Sequence, residues 1–143
     1  MAFKILKDID DKGLIRVPIS SITVTVGELL EQLTGATAWT ECTSSSPAYS
    51  RKGIAMEAAS TAATTVLVCE LDGTETVEAL VTNTAAAADN GDAMVLTDSV
   101  TVNNTHTNST AKEACFVQDG IGSTTTTVVG RIIVGPGLSF NAA

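Results

Sequence analysis

The chain has 143 residues and a net charge of −8; 44% of its residues are hydrophobic, but only 17% are charged and 3% aromatic. Such acidity excludes binding to a nucleic-acid backbone, which needs clustered Lys and Arg, and no run approaches the ~20 apolar residues of a membrane-spanning helix. The length suits one domain or two small β-modules around a shared core.

Residues 1–20 read as an extended N-terminal arm, and residues 21–143 as a β domain. The arm alone leans basic, with Lys4, Lys7, Lys12 and Arg16 set against Asp8, Asp10 and Asp11. Its start lacks the apolar stretch of a secretory leader, so none is expected. Phe3, Ile5, Leu6, Leu14, Ile15, Val17 and Ile19 give it more apolar surface than a free arm can bury, which calls for a partner or a neighbouring subunit.

Ser21–Val26 alternates apolar and polar residues and predicts a half-buried strand. Gly27–Leu33 follows with Leu29, Leu30 and Leu33, and predicts two turns of helix. Thr64–Val68 is β-branched and predicts a buried strand. Thr76–Thr82 suits either state: its ends favour a strand, while Glu78, Ala79 and Leu80 tolerate a helix. Residues 83–90 are a connection of small residues. Ala93–Leu96 and Ser99–Val102 predict strands around a turn at Thr97–Asp98. Thr124–Val134 is a long β-branched run broken by Gly130, where a bulge or bend is expected. Asp72-Gly73, Asn90-Gly91 and Asp119-Gly120 mark turns, and Gly135-Pro136-Gly137 ends strand pairing. With 22 threonines in the chain, the fold class expected is mostly β.

The two halves read as related modules, residues 22–71 and 91–134. In each, a glycine and an acid open a strand; a polar excursion, a short apolar strand (Lys52–Ala55, Ala114–Val117), a Thr-rich turn and a closing strand follow. A Thr-rich β-chain also aligns with itself through composition alone.

Motifs with chemistry are sparse. Asp8-Ile9-Asp10-Asp11-Lys12-Gly13 places a glycine at the sixth position of a calcium loop, but Lys12 at the fifth and Ile19 at the twelfth cannot ligate. Gly120-Ile121-Gly122 is followed by neither Lys-Ser/Thr nor a helical pattern, so no phosphate cradle is expected. Asn103-Asn104-Thr105 and Asn108-Ser109-Thr110 match the glycan acceptor pattern by composition. His106, the single histidine, sits in a polar stretch expected to form a loop tip. No nucleophile, base and carboxylate can be assembled around it. Cys42, Cys69 and Cys115 are widely spaced, form no C-x-x-C, and are expected to be reduced core residues. The expectation is a non-enzyme with no catalytic residues, cofactor or metal. Trp39 reads as a core anchor or as an interface anchor.

The unit Asn90-Gly91-Asp92-Ala93-Met94-Val95-Leu96, the apolar strand at Ala114–Val117 with its Thr/Gly-rich turn, and the closing Val129-Gly130-Arg131-Ile132-Ile133-Val134 resemble tailed-phage head decoration (capsid cement) proteins. The resemblance spans residues 22–134; the first half departs from it, opening with Gly27-Glu28-Leu29-Leu30 where the second has Gly-Asp. It implies a small β-barrel or β-tulip-like body, assembled as a homotrimer and bound to the major capsid protein. It also implies a protein made in the host cytoplasm that sits on the outer capsid surface. Neither nucleic acid nor membrane is expected as a partner. The contact candidates are Phe3, Ile5, Leu6, Ile15 and Val17 in the arm, with Trp39 as an anchor. Two other classes share the composition: another phage structural protein, such as a tail-tube or head–tail joining component, and a small-ligand or carbohydrate-binding barrel. The latter usually clusters aromatics in a concave site, and only five are present.

Overall fold

A computed structural model describes residues 2–7, 14–107 and 113–135. The Asp8–Gly13 segment, the acceptor pattern at residues 108–110 and the tail from Pro136 lie outside these residues. Within them the protein is almost entirely β, with eleven strands and one 3-10 turn at Ala87–Asp89. Among the described residues no helix is long and apolar enough to cross a membrane.

The strands form two sheets. The first is five-stranded and comes from the first half of the chain: β2 (Ile15–Pro18), β6 (Thr65–Glu70), β5 (Arg51–Ala55), β3 (Leu29–Gln32) and β4 (Thr40–Glu41), in that spatial order. It curls into a half-barrel, and a parallel bridge between Ile19 and Trp39 links its two ends. The second has the order β1 (Phe3–Lys7), β7 (Thr76–Val81), β11 (Thr127–Ile132), β10 (Phe116–Ile121), β8 (Ala93–Asp98) and β9 (Thr101–Thr107). A short parallel pairing of Leu80 and Val81 with Thr101 and Val102 closes five of these strands into a barrel, with β1 added on the outside of β7. The barrel core buries Phe3, Val77, Ala79, Met94, Leu96, Phe116 and Val128 completely. Each such large side chain contributes about 1.5–3 kcal/mol of transfer free energy.

The half-barrel has two buried faces. Leu29 and Ile54 are register partners and pack against the barrel, in one core with Cys42 and Leu71. Leu30 and Ala55 point the other way, into a second core with Val17, Ile19, Val24, Trp39, Val66 and Val68. This arrangement overturns the helix expected at residues 27–33. A helix would place Leu29 and Leu30 on one side, whereas two cores on opposite faces each take one of them, and only a strand supplies that alternation. Tertiary burial outweighs the weak local preference of Glu28–Gln32.

Other expectations need smaller corrections. In Ser21–Val26 the alternation holds from Ile22 to Thr25, with Val24 buried and Thr23 and Thr25 exposed, but Val26 turns outward at 44% exposed, and the strand contact among the described residues is the single bridge Val24–Ala59. Residues 76–81 are a strand, its burial alternating through Val77, Ala79 and Val81. The turn between β8 and β9 lies at Ser99–Val100, two residues later than expected, and His106 belongs to β9 instead of a loop tip. Gly73 and Gly91 do occupy turns, each at φ +91°, a backbone conformation that L side chains rarely adopt. Asp119-Gly120 lies inside β10, where the register shifts between Gln118 and Gly120. The bulge therefore sits on β10, opposite the Gly130 position where it was expected.

The N-terminal segment is extended, but it docks on the chain's own sheets. β1 pairs with β7 and β2 pairs with β6, and Phe3 donates its N–H to the Gly27 carbonyl at 3.0 Å. The apolar residues that called for a partner are therefore buried largely within the same chain.

Candidate interaction surface and buried polar groups

The six contact candidates separate by exposure. Phe3, Val17 and Trp39 are 0%, 3% and 2% exposed and belong to the chain's own cores. Their assignment as partner contacts is corrected: the alternation of β1 and β2 turns Phe3 and Val17 inward, and the bridge to Ile19 seats Trp39 in the second core. Ile5 and Ile15 are half-buried against the same two cores. Leu6 remains open to solvent at 47%.

Trp39 is an internal anchor. The Arg51 guanidinium stacks over its ring at 5.2 Å from the centroid. The same guanidinium donates to both Glu70 carboxylate oxygens, at 2.7 and 2.8 Å, and to Gln32 Oε1 at 2.9 Å. The fork geometry of arginine and the π-face of tryptophan are both used at this one point.

What the N-terminal segment leaves open is its outer edges. β1 and β2 are each terminal strands of a sheet whose outer side is only partly covered: Phe3 donates to the Gly27 carbonyl, and the Pro18 carbonyl accepts the Trp39 N–H at 2.8 Å. Leu6 lies on β1 and Leu14, 50% exposed, immediately precedes β2. Val26, 44% exposed, adjoins Gly27, whose carbonyl holds the outer side of β1 at Phe3. Spacing within the arm pointed to this region but not to which of its residues face outward, because the strand registers decide that.

The buried polar groups cluster where the half-barrel meets the barrel. Lys52 is fully buried, and its ammonium donates to the carbonyls of Pro47 (2.8 Å), Ala48 (2.9 Å) and Ile133 (3.0 Å). Its register partner Glu31 accepts from Ser46 Oγ at 2.5 Å and Ser50 Oγ at 2.8 Å. Cys115 reaches the Ser46 carbonyl at 3.3 Å. The loop 43–50, the half-barrel and the barrel are thus tied together by saturated hydrogen bonds, which is the arrangement buried charges require. Sequence reasoning passed over this cluster because Lys52 and Glu31 are remote in sequence and neither matches a motif.

The three cysteines are buried thiols. Burial pushes Cys115 up to about 11 and drives Cys42 well above the ordinary range, with the Glu31 charge adding to the second shift. The thiolate is the reactive form, and Cys69 is shielded by its own burial at 5% exposure, so none of the three should react with a thiol reagent at pH 8 in the folded protein, and all three should react after unfolding in urea. Rapid native-state labelling would contradict the burial. Among the described residues, no group of three or more His, Cys, Asp or Glu side chains is placed to hold a metal ion. Comparison of the sequence with protein-family models and with curated proteins found no match to either.

Proposed function

We propose that this chain binds the outer surface of an expanded phage capsid as a homotrimer and stabilises the shell. The observation that supports this reading best is that β1 and β2 are terminal strands whose outer sides are only partly covered, with Leu6 and Leu14 exposed beside them. An open edge is a template for strand addition by another protein, and flanking leucines add apolar area once covered. The major capsid protein is the partner, and a contact too weak to hold one copy becomes strong when repeated over a lattice. The charge of −8 suits a face turned away from packaged DNA.

The test is co-sedimentation with empty expanded heads. Because β1 and β2 are built into the sheets, deleting residues 1–20 would damage the fold, so point substitutions are the cleaner probe. The full chain should pellet with expanded heads. A Leu6→Asp, Leu14→Asp double variant should keep its thermal unfolding midpoint and lose at least ~10-fold in apparent affinity, as expected for about 1.4 kcal/mol of buried apolar contact. Failure of the unaltered chain to pellet rejects the capsid reading. Rings or tubes in the electron microscope would instead favour a tail-tube or head–tail joining role.

A further inference from the structure

Glu28 has an oxygen that the fold does not satisfy. The residue is 7% exposed and immediately precedes β3. Its Oε1 accepts from the Thr25 hydroxyl at 3.0 Å and the Thr25 N–H at 3.3 Å, while Oε2 is buried and receives no hydrogen bond. A buried carboxylate oxygen without a donor is costly. The side chain in hydrogen-bonding position to Glu28 is Glu41, on the neighbouring strand β4, whose register partner is Leu30. A carboxyl group can donate to another only when it carries a proton.

We infer that Glu41 carries a proton that it donates to Glu28, and that this proton makes the joint between half-barrel and barrel sensitive to pH. The pair sits at that joint. Leu29, next to Glu28, donates its N–H to the carbonyl of Ser99 in the β8–β9 turn at 2.9 Å. The same Ser99, 8% exposed, lies on the barrel side and acts on the Glu41 carboxyl by favouring its ionised form. Protonated Glu41 donates to Glu28 and caps the orphaned oxygen. Ionised Glu41 loses that donation and faces a like charge. From β3 and its leading turn the groups facing the pair are Thr25 and Glu28; from β4, Glu41 itself; from the barrel, Ser99. The charge acting on Glu41 is that of Glu28. Glu31 and Lys52 lie with Leu29 and Ile54 in their strands' registers, paired to each other across β3 and β5.

Burial, then the hydrogen bond and charge of Glu28, raise Glu41 above the ordinary carboxylate range, while Ser99 opposes them in part. A raised acid binds more protons in the folded than in the unfolded state. Its contribution is therefore complete below the ordinary carboxylate range and is lost as pH rises through the folded value.

The experiment is urea unfolding of the full chain from pH 4.5 to pH 8, with hydrogen exchange of the Leu29 amide, expressed as a protection factor, as the local readout. In the unaltered chain both should fall as pH rises. In Glu41→Gln the amide donates to Glu28 at every pH, so more than half of the fall should vanish and Leu29 protection should stay level. Glu28→Gln, which keeps an acceptor for Thr25 and donates to ionised Glu41, should flatten the profile likewise. Glu75, also raised by burial, acts with the same sign elsewhere, at the β6–β7 turn, so the comparison is between variant and parent slopes. Slopes unchanged in both variants would overturn the inference. Should both variants fail to fold, carboxyl carbon shifts in the unaltered chain decide: titration of Glu41 above the ordinary carboxylate range supports the donated proton, and titration of Glu41 within that range overturns it. Calcium at pH 8 stabilising as much as acid does would replace the proton with a cation, and would likewise overturn it.

Discussion

Lys52→Ala should cost about 3–5 kcal/mol, a large share of the roughly 5–15 kcal/mol that holds a domain of this size together. All three ammonium protons are used, on carbonyls from the 43–50 loop and from Ile133 beyond β11. Removing the side chain takes a donor from three carbonyls, of which that of Ala48 is buried and that of Pro47 keeps only the Ser50 hydroxyl at 3.3 Å, and it opens a cavity where a fully buried stem had been. Urea unfolding monitored by Trp39 fluorescence measures the loss. Lys52→Met keeps the volume of the stem and so isolates the polar part, which should remain the larger fraction. A midpoint within about 1 kcal/mol of the parent for Lys52→Ala would show that water replaces the ammonium and that the cluster does not join the two sheets.

Gly130→Ala should be comparably damaging for a different reason. Glycine at this point of β11 lies against the Val117 carbonyl oxygen and the ring of Phe116; an added Cβ would overlap that oxygen and approach the ring Cζ to 2.6 Å. Phe116 is fully buried and Val117 is backbone-paired within β10, so neither can move without disturbing the barrel. Overpacking ordinarily costs about 1–3 kcal/mol, and a clash with backbone lies at or above the top of that range. Gly120→Ala is the matched control. Its Cβ would meet nothing within 4 Å, and stability should change by less than about 1 kcal/mol. Equal behaviour of the two variants would mean that β11 can shift away from β10.

These two residues also illustrate what a linear reading misses. Gly130 stands out in the sequence, since a glycine within a β-branched run marks a bulge or a close approach. Only the register of β10 against β11 tells which: the bulge lies at Gln118–Gly120, and Gly130 answers to the Phe116 ring. Lys52 gave no signal at all. A lysine in a short apolar stretch looks like the exposed end of a strand, and its three partners include one 81 residues away. The contact candidates show the same limit. Period-two alternation marks the arm as strand-forming, but a register shift of one residue exchanges the inward and outward sets. Phe3 and Val17 therefore became core, while Leu6 stayed on the surface.

The Glu28–Glu41 pair was likewise invisible, because the residues belong to a segment read as helix and to a two-residue strand. As a helix, residues 27–33 would have pointed Glu28 to solvent. As β3 the segment is covered on both faces, and Glu28 is enclosed beside a second acid.

The sequence by itself determined the class of fold. Threonine-rich, β-branched runs punctuated by Asp-Gly and Asn-Gly turns leave little besides antiparallel β-structure, because local backbone preference and side-chain period agree along most of the chain. It also determined the strand character of β6 and β8, while leaving β7 open between strand and helix. Tertiary structure alone decided which edges are open, which polar groups are buried together, and that residues 29–32 form a strand. The reason is the same in each case. Burial on both faces of a sheet, and saturation of a buried charge, depend on partners far away in sequence, and their free energies exceed the fractions of a kcal/mol by which local propensity distinguishes helix from strand.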